Sequence, residues 1–97
     1  SDLRFDGFSA EDIRFTQAKD GSALYTFLFG LPEDDSLLIR SLTPDRGAIK
    51  SVVFVASDAP IEWQQTGAGL QLRLRTKPKM QHAIVLKITG DGLTVPQ

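Results

Sequence analysis

Apolar and polar residues alternate along most of the chain with a period of two, which is typical of half-buried β-strands. Turn signals separate these segments every eight to twelve residues, and no helical periodicity extends beyond about two turns. The pattern predicts an all-β fold, an antiparallel, Greek-key-like β-sandwich of about seven to eight short strands, with a partly open barrel as the alternative. The predicted strands are one that opens at Asp12, then Ser22–Phe29, Ser36–Leu42, Ile49–Val55, Ile61–Thr66, Gly69–Arg75 and His82–Thr89.

The segment Asp12–Pro32 predicts a hairpin whose turn is Lys19–Gly21, because glycine supplies the positive φ that tight hairpins require. A two-residue loop would pair Phe15 with Thr26, whereas a three-residue loop with the glycine as a bulge would pair Phe15 with Tyr25. We favour the longer loop because it stacks four apolar side chains on one face, namely Ile13, Phe15, Tyr25 and Phe27.

Two predicted strands are apolar on both faces. The second carries aromatic residues on one face (Tyr25, Phe27 and Phe29) and leucines on the other (Leu24 and Leu28), and the fourth contains the run Val52–Val55. An antiparallel strand with one solvated face should alternate cleanly, so the valine-rich run predicts burial on both sides. The second strand is either central in the sandwich or covered on its outer face by another body. In the latter case one of its faces should be unusually exposed in this chain.

The segment Ile61–Arg75 predicts a second hairpin, closed by a type II′ turn with Gly67 at its first central position. Its core face would carry Trp63 among aliphatic residues, and its solvated face would place Glu62 opposite Arg73. The register that follows pairs Thr66 with Gly69, Gln65 with Leu70, Trp63 with Leu72 and Ile61 with Leu74.

Composition narrows the range of partners. The chain has 97 residues, which predicts one domain over residues 1–97, and 11 Lys+Arg against 12 Asp+Glu give a formal charge of −1. Such a charge provides no field for nucleic acid or an anionic membrane, and the basic residues Arg73, Arg75, Lys77 and Lys79 are best explained as a solvated face. No apolar run approaches the roughly 18–20 residues of a membrane span, and no signal-peptide pattern is evident.

Catalytic and metal-binding motifs are not evident either. Without cysteine, disulfides and thiolate metal sites are excluded, and the single histidine, His82, is expected at the surface. No HExxH, EF-hand or phosphate-binding loop is present, and the acidic residues fall mainly in turns. We therefore predict no catalytic residue, no cofactor and no metal in this chain.

Glycan binding would depend on an exposed aromatic ring that covers the apolar face of a sugar. Trp63 and Tyr25 are the candidates. Trp63 shares its predicted face with Ile61 and Leu72, which favours a core position, and the face of Tyr25 depends on the register of the first hairpin.

Several stretches occur in an order and spacing shared with one known family: Phe8–Thr16, Ala23–Phe27, Gly30–Pro32, Ile39–Leu42, Ile49–Val52, Ile61–Thr66 with Gly69–Leu70, and Ala83–Ile88. Together they resemble the C-terminal domain of alpha-L-fucosidases of glycoside hydrolase family 29, over roughly residues 8–90. The resemblance implies an antiparallel β-sandwich that follows a (β/α)₈-like catalytic barrel. The nucleophilic aspartate of that family belongs to the barrel, so no catalytic residue carries over to this chain.

The resemblance implies an accessory domain, inactive alone, that supports a barrel hydrolysing terminal alpha-L-fucose by a retaining mechanism. Its partner would be that barrel, contacted through the outer face of the second strand, which is either the Tyr25, Phe27 and Phe29 face or the Leu24 and Leu28 face. The alternative is a lectin-like, carbohydrate-binding module that recognises fucosylated glycans itself through Trp63 and Tyr25. Members of the family are usually secreted, periplasmic or lysosomal.

Overall fold

The chain folds into seven antiparallel strands within the residues that the structure, a computed structural model, describes: 13–30, 35–75 and 83–95. Predictions that concern residues outside these ranges, His82 among them, are not addressed by the structure. The strands are β1 (Ile13–Gln17), β2 (Ala23–Leu28), β3 (Ser36–Ile39), β4 (Ala48–Phe54), β5 (Glu62–Thr66), β6 (Gly69–Arg73) and β7 (Ile84–Asp91), with a 3₁₀ turn at Pro44–Arg46.

The strands form two separate sheets, so the sandwich prediction is confirmed and the barrel alternative is wrong. One sheet has the order β1-β2-β7-β4 and the other β3-β6-β5. The chain crosses between the sheets four times, as in Greek-key sandwiches, rather than following an up-and-down order. The inner faces of both sheets share one apolar core, whose fully buried members include Leu24, Leu28, Leu37, Ile39, Leu70, Leu72, Leu86 and Ile88.

The first hairpin has a different register from the one we favoured. Phe15 lies opposite Thr26 and Thr16 opposite Tyr25, so the predicted pairing of Phe15 with Tyr25 is wrong. Successive side chains on a strand point to alternate faces of the sheet. The shift of one residue therefore places Tyr25 and Phe27 on one face and Ile13 and Phe15 on the other. The inner face of β2 consists instead of Leu24, Thr26 and Leu28, all fully buried.

Polar contacts within the turn explain this register. The amide of Ala18 donates to the carbonyl of Ala23, and the amide of Gly21 donates back to the carbonyl of Ala18 with Gly21 at a φ of 76°. The hydroxyl and the amide of Ser22 both donate to Oδ1 of Asp20, at 2.6 and 3.0 Å. The hydrogen bond from the Ser22 hydroxyl, and to a lesser extent the one from the Ser22 amide, holds the pKa of Asp20 below its usual value. The turn thus extends over more residues than either predicted loop.

The second hairpin has the predicted register. Thr66 lies opposite Gly69, Trp63 opposite Leu72 and Glu62 opposite Arg73. The predicted type II′ turn is wrong, because Gly67 does not adopt a positive φ. Gly69 does so instead, at 127°, where a Cβ would lie 2.4 Å from the carbonyl oxygen of Ile39 on the neighbouring strand β3. Both the positive φ and the close approach of the two backbones therefore require glycine at this position.

A glutamine side chain ties the two sheets together at one end of the sandwich. Gln65, on the inner face of β5, donates from Nε2 to the carbonyls of Leu42 (3.2 Å) and Gly47 (3.0 Å) and accepts at Oε1 from the amide of Ile49 (3.0 Å). These three bonds hold the segment around the 3₁₀ turn and the start of β4 against β5. They satisfy backbone groups that neither sheet pairs.

Candidate interaction surface

Six apolar side chains lie together on the outside of the four-stranded sheet. We call them the apolar outer face; they are Tyr25 and Phe27 of β2, Phe29 just after it, Val53 of β4, Val55 just after it, and Val85 of β7. Phe27 is paired directly with Val85, and the amide of Val55 donates to the carbonyl of Val85 at 2.9 Å. Three strands thus contribute to one continuous surface.

The most exposed part of this surface lies where β2 ends and β7 begins. Phe29 exposes 44% and Val55 43% of its surface, and they are the exposed large hydrophobic residues of the described chain. Phe27, Tyr25, Val53 and Val85 are half-buried. Contiguous exposed apolar groups on a folded domain mark interaction sites more often than isolated ones do. This end of the sheet is therefore the candidate site.

The valine run of β4 contributes to this surface. We predicted that Val52–Val55 would be buried on both sides, but only Val52 and Phe54 are buried. Val53 and Val55 lie on the outer side of an edge strand that nothing in the described chain covers on that side. The prediction was wrong because a run of apolar residues shows that a strand is apolar on both faces, but not whether another element covers each face.

Aromatic stacking organises the exposed end. The rings of Phe27 and Phe29 are stacked with centroids 6.5 Å apart and an interplanar angle of 15°. Arg14, which lies opposite Phe27 on β1, places its guanidinium carbon 5.7 Å from the centroid of Phe29. This distance is within the range of a cation–π contact. The surface therefore combines two ordered rings with one positive charge.

The other half of the same sheet surface is polar. Thr89 and Ser51 lie opposite each other and share a hydrogen bond between their hydroxyls. Lys50 forms an ion pair of 3.1 Å with Asp91, the last residue of β7. The apolar character is thus confined to one end of the four-stranded sheet.

The outside of the three-stranded sheet differs in kind. Glu62 forms ion pairs with Arg73 (3.9 Å) and Arg75 (3.6 Å), and Gln64 lies opposite Gln71. These side chains are polar or charged, as expected for a surface in contact with water. Ion pairs between exposed side chains contribute little to stability. The predicted solvated face of the second hairpin therefore agrees with the structure.

The four predicted site residues do not form one site. Tyr25, Phe27 and Phe29 lie together on the apolar outer face, whereas Trp63 lies on the inner face of β5 in the other sheet, half-buried and packed against the core. The sequence reasoning missed Arg14 and the contributions of β4 and β7. The alternation in β7 and the second apolar face of β4 were the signals that could have revealed the valines.

Metal-ligating side chains do not cluster in the described residues. Nowhere in these ranges do three or more His, Asp or Glu side chains form a group that could hold a metal ion. The described chain also contains no helix of the length and apolar character that crossing a membrane demands. The pKa of Asp45 is lowered chiefly by its hydrogen bond with the Thr43 hydroxyl, as expected for a turn.

The sequence of this chain matches the model of a known protein family. This family is the alpha-L-fucosidase C-terminal domain, and its family model matches residues 6–89, which are most of the chain. The chain belongs to this family. A comparison with curated proteins finds no match. Membership in the fucosidase C-terminal domain family agrees with the sandwich and points to a parent enzyme of the glycosidase class, in which this domain is a non-catalytic accessory.

Proposed function

We propose that this chain supports the catalytic domain of an alpha-L-fucosidase by docking against it through the apolar outer face. The catalytic domain would be a (β/α)₈-like barrel that hydrolyses terminal alpha-L-fucose by a retaining mechanism. The observation that carries the proposal is the exposed cluster of Phe29 and Val55 in a chain whose family is, by description, the C-terminal part of a larger enzyme.

The difference between the two outer surfaces supports an orientation. Glu62, Arg73 and Arg75 on the three-stranded sheet carry ion pairs whose desolvation would cost free energy, so this surface would remain in water. Phe27, Phe29 and Val55 would lose little by desolvation and would gain about 25 cal/mol for each Å² of apolar surface that is buried. The four-stranded sheet is therefore the side that would face the barrel.

Activity assays of the 97-residue chain and of the full-length parent test the proposed accessory role. With an aryl alpha-L-fucoside as substrate, the full-length enzyme should show turnover and the isolated chain none above background. Turnover by the isolated chain would contradict the proposal. A parent protein without fucosidase activity would contradict the assignment of the substrate.

Glycan binding by the domain itself is the second candidate function. Tyr25 supports it, because its ring is half-exposed on the outer surface beside Thr16 and Lys87, its direct neighbours on β1 and β7. Trp63 does not, because it packs against the core. Calorimetric titration of the isolated chain with fucosylated oligosaccharides tests this function. Saturable binding that Tyr25→Ala abolishes would support it, and no heat at millimolar ligand would contradict it.

A further inference from the structure

Arg14 is a charged residue at the exposed end of the apolar outer face. It is exposed, it lies opposite Phe27 on the edge strand β1, and its guanidinium rests over the ring of Phe29. The ion pairs found among the described residues are those of Lys50, Arg73 and Arg75, and Arg14 takes part in none of them. Its charge is thus presented at the surface without an ion-paired carboxylate from the described part of its own domain.

The described charged side chains that point outward at this end and in the middle of β1, β2 and β7 are positive, and Asp58 lies beyond Val55 in the turn after β4. Lys87, the neighbour of Tyr25 on β7, is the other charged side chain on the central part of the sheet surface, and it lies nearer the turn that contains Asp20. The carboxylate of Asp91 lies at the polar end and pairs with Lys50. A partner that covers the apolar end would leave the positive charge of Arg14 buried and unpaired unless the partner supplied a negative charge.

The contact with Phe29 prepares Arg14 for such a pairing. A guanidinium over an aromatic ring keeps its N–H groups free at its edge, and the contact restricts the rotamers of a long side chain before any partner binds. A carboxylate can accept two parallel hydrogen bonds from this fork. Arginine and aromatic residues at the centre of an interface often contribute most of its binding free energy.

We propose that Arg14 forms a bidentate ion pair with a carboxylate of the catalytic domain, at the centre of the contact made by Phe27, Phe29 and Val55. This inference rests on the proposed docking and names its chemistry. The occupant is the parent enzyme's own catalytic domain, because the family places this domain C-terminal to another one. The complementary surface of that domain should therefore be an apolar patch with an acidic residue.

The experiment compares the isolated chain with the full-length parent. The thermal unfolding midpoint of this domain is measured in both by hydrogen exchange of peptides from β7, which report on this domain alone. Docking should raise the midpoint in the full-length enzyme, and salt between about 0.05 and 0.5 M should reduce that increase by screening the ion pair. The variants are Arg14→Gln, Arg14→Lys, Phe29→Ser and, as a control, Arg40→Gln, whose exposed side chain follows β3 in the other sheet.

Arg14→Gln should lower the midpoint of the full-length enzyme by about 8 °C or more and abolish its salt dependence. In the isolated chain the same variant should shift the midpoint by about 2 °C at most, since only an exposed cation–π contact is lost. Arg14→Lys should give an intermediate loss, because it keeps the charge without the fork. Arg40→Gln should change neither protein.

The two proposals can fail separately. If Phe29→Ser lowers the midpoint only in the full-length enzyme while Arg14→Gln behaves like Arg40→Gln, the ion pair is wrong and the docking stands. If neither Phe29→Ser nor Arg14→Gln distinguishes the full-length enzyme from the isolated chain, both proposals are wrong.

Discussion

Thr26 places a hydroxyl group in the core of the sandwich. The residue is fully buried on the inner face of β2, and its Oγ1 has no hydrogen-bond partner among the described residues. Its neighbours on that face are Leu24 and Leu28. A buried hydroxyl that forms no hydrogen bond destabilises the folded state, because it gives up its bonds to water.

Replacing Thr26 with valine should therefore raise the free energy of unfolding by about 1 kcal/mol, since valine has nearly the same shape without the hydroxyl. Urea denaturation of the isolated chain measures the change. The control is Thr89→Val in β7, where the hydroxyl is bonded to that of Ser51. That substitution should lower the free energy of unfolding by about 1 kcal/mol. Equal effects of the two substitutions would show that the Thr26 hydroxyl has a partner.

The side chain of Gln65 stabilises the contact between the two sheets through three hydrogen bonds. Gln65→Met keeps the length of the side chain but leaves the carbonyls of Leu42 and Gly47 and the amide of Ile49 without partners. We expect the free energy of unfolding to fall by about 2 kcal/mol or more. The exposed neighbour Gln64 provides the control, because Gln64→Met should change it by no more than about 0.5 kcal/mol. A loss no greater for Gln65→Met than for the control would contradict the role assigned to these bonds.

At the scale of the element, the second hairpin separates two roles of glycine. Gly67 has open space where a Cβ would be, whereas a Cβ on Gly69 would meet the backbone of Ile39 and Arg40. Gly69→Ala should lower the free energy of unfolding by about 3 kcal/mol or more, through its positive φ and the clash with β3. Gly67→Ala should leave it within about 1 kcal/mol of the original. Denaturant unfolding of both variants checks this, and the reverse order would contradict the geometry.

The two hairpins also show how far sequence reasoning can go for an element. The register of Glu62–Arg73 could be predicted because the turn length and the polarity of both faces agreed on one pairing. In the first hairpin, β2 is apolar on both faces, so the pattern could not decide which face is inner. The deciding contacts were local hydrogen bonds around Asp20 and Ser22, which hydrophobic periodicity does not report.

At the scale of the whole molecule, the sandwich has one outer surface with ion pairs and one with exposed apolar side chains, through which we propose that it contacts another domain. The sandwich itself was predictable from strand spacing, and the family from the order of its motifs. The surface was only partly predictable. Tyr25, Phe27 and Phe29 were identified from the excess of apolar residues in one strand, but their union with Val55 and Arg14 depends on pairings between residues that are distant in sequence.

Hydroxyl-radical footprinting tests whether the four-stranded sheet faces the catalytic domain. Side-chain oxidation is compared between the isolated 97-residue chain and the full-length parent, with Gln71-containing peptides of the other sheet and the core-packed Trp63 as internal references. Docking predicts that Phe29 and Val55 are oxidised at least about fivefold more slowly in the full-length enzyme, because their exposed surface becomes buried. The references should change little. Equal oxidation of Phe29 and Val55 in the two proteins, or protection of the three-stranded sheet instead, would contradict the proposed docking orientation.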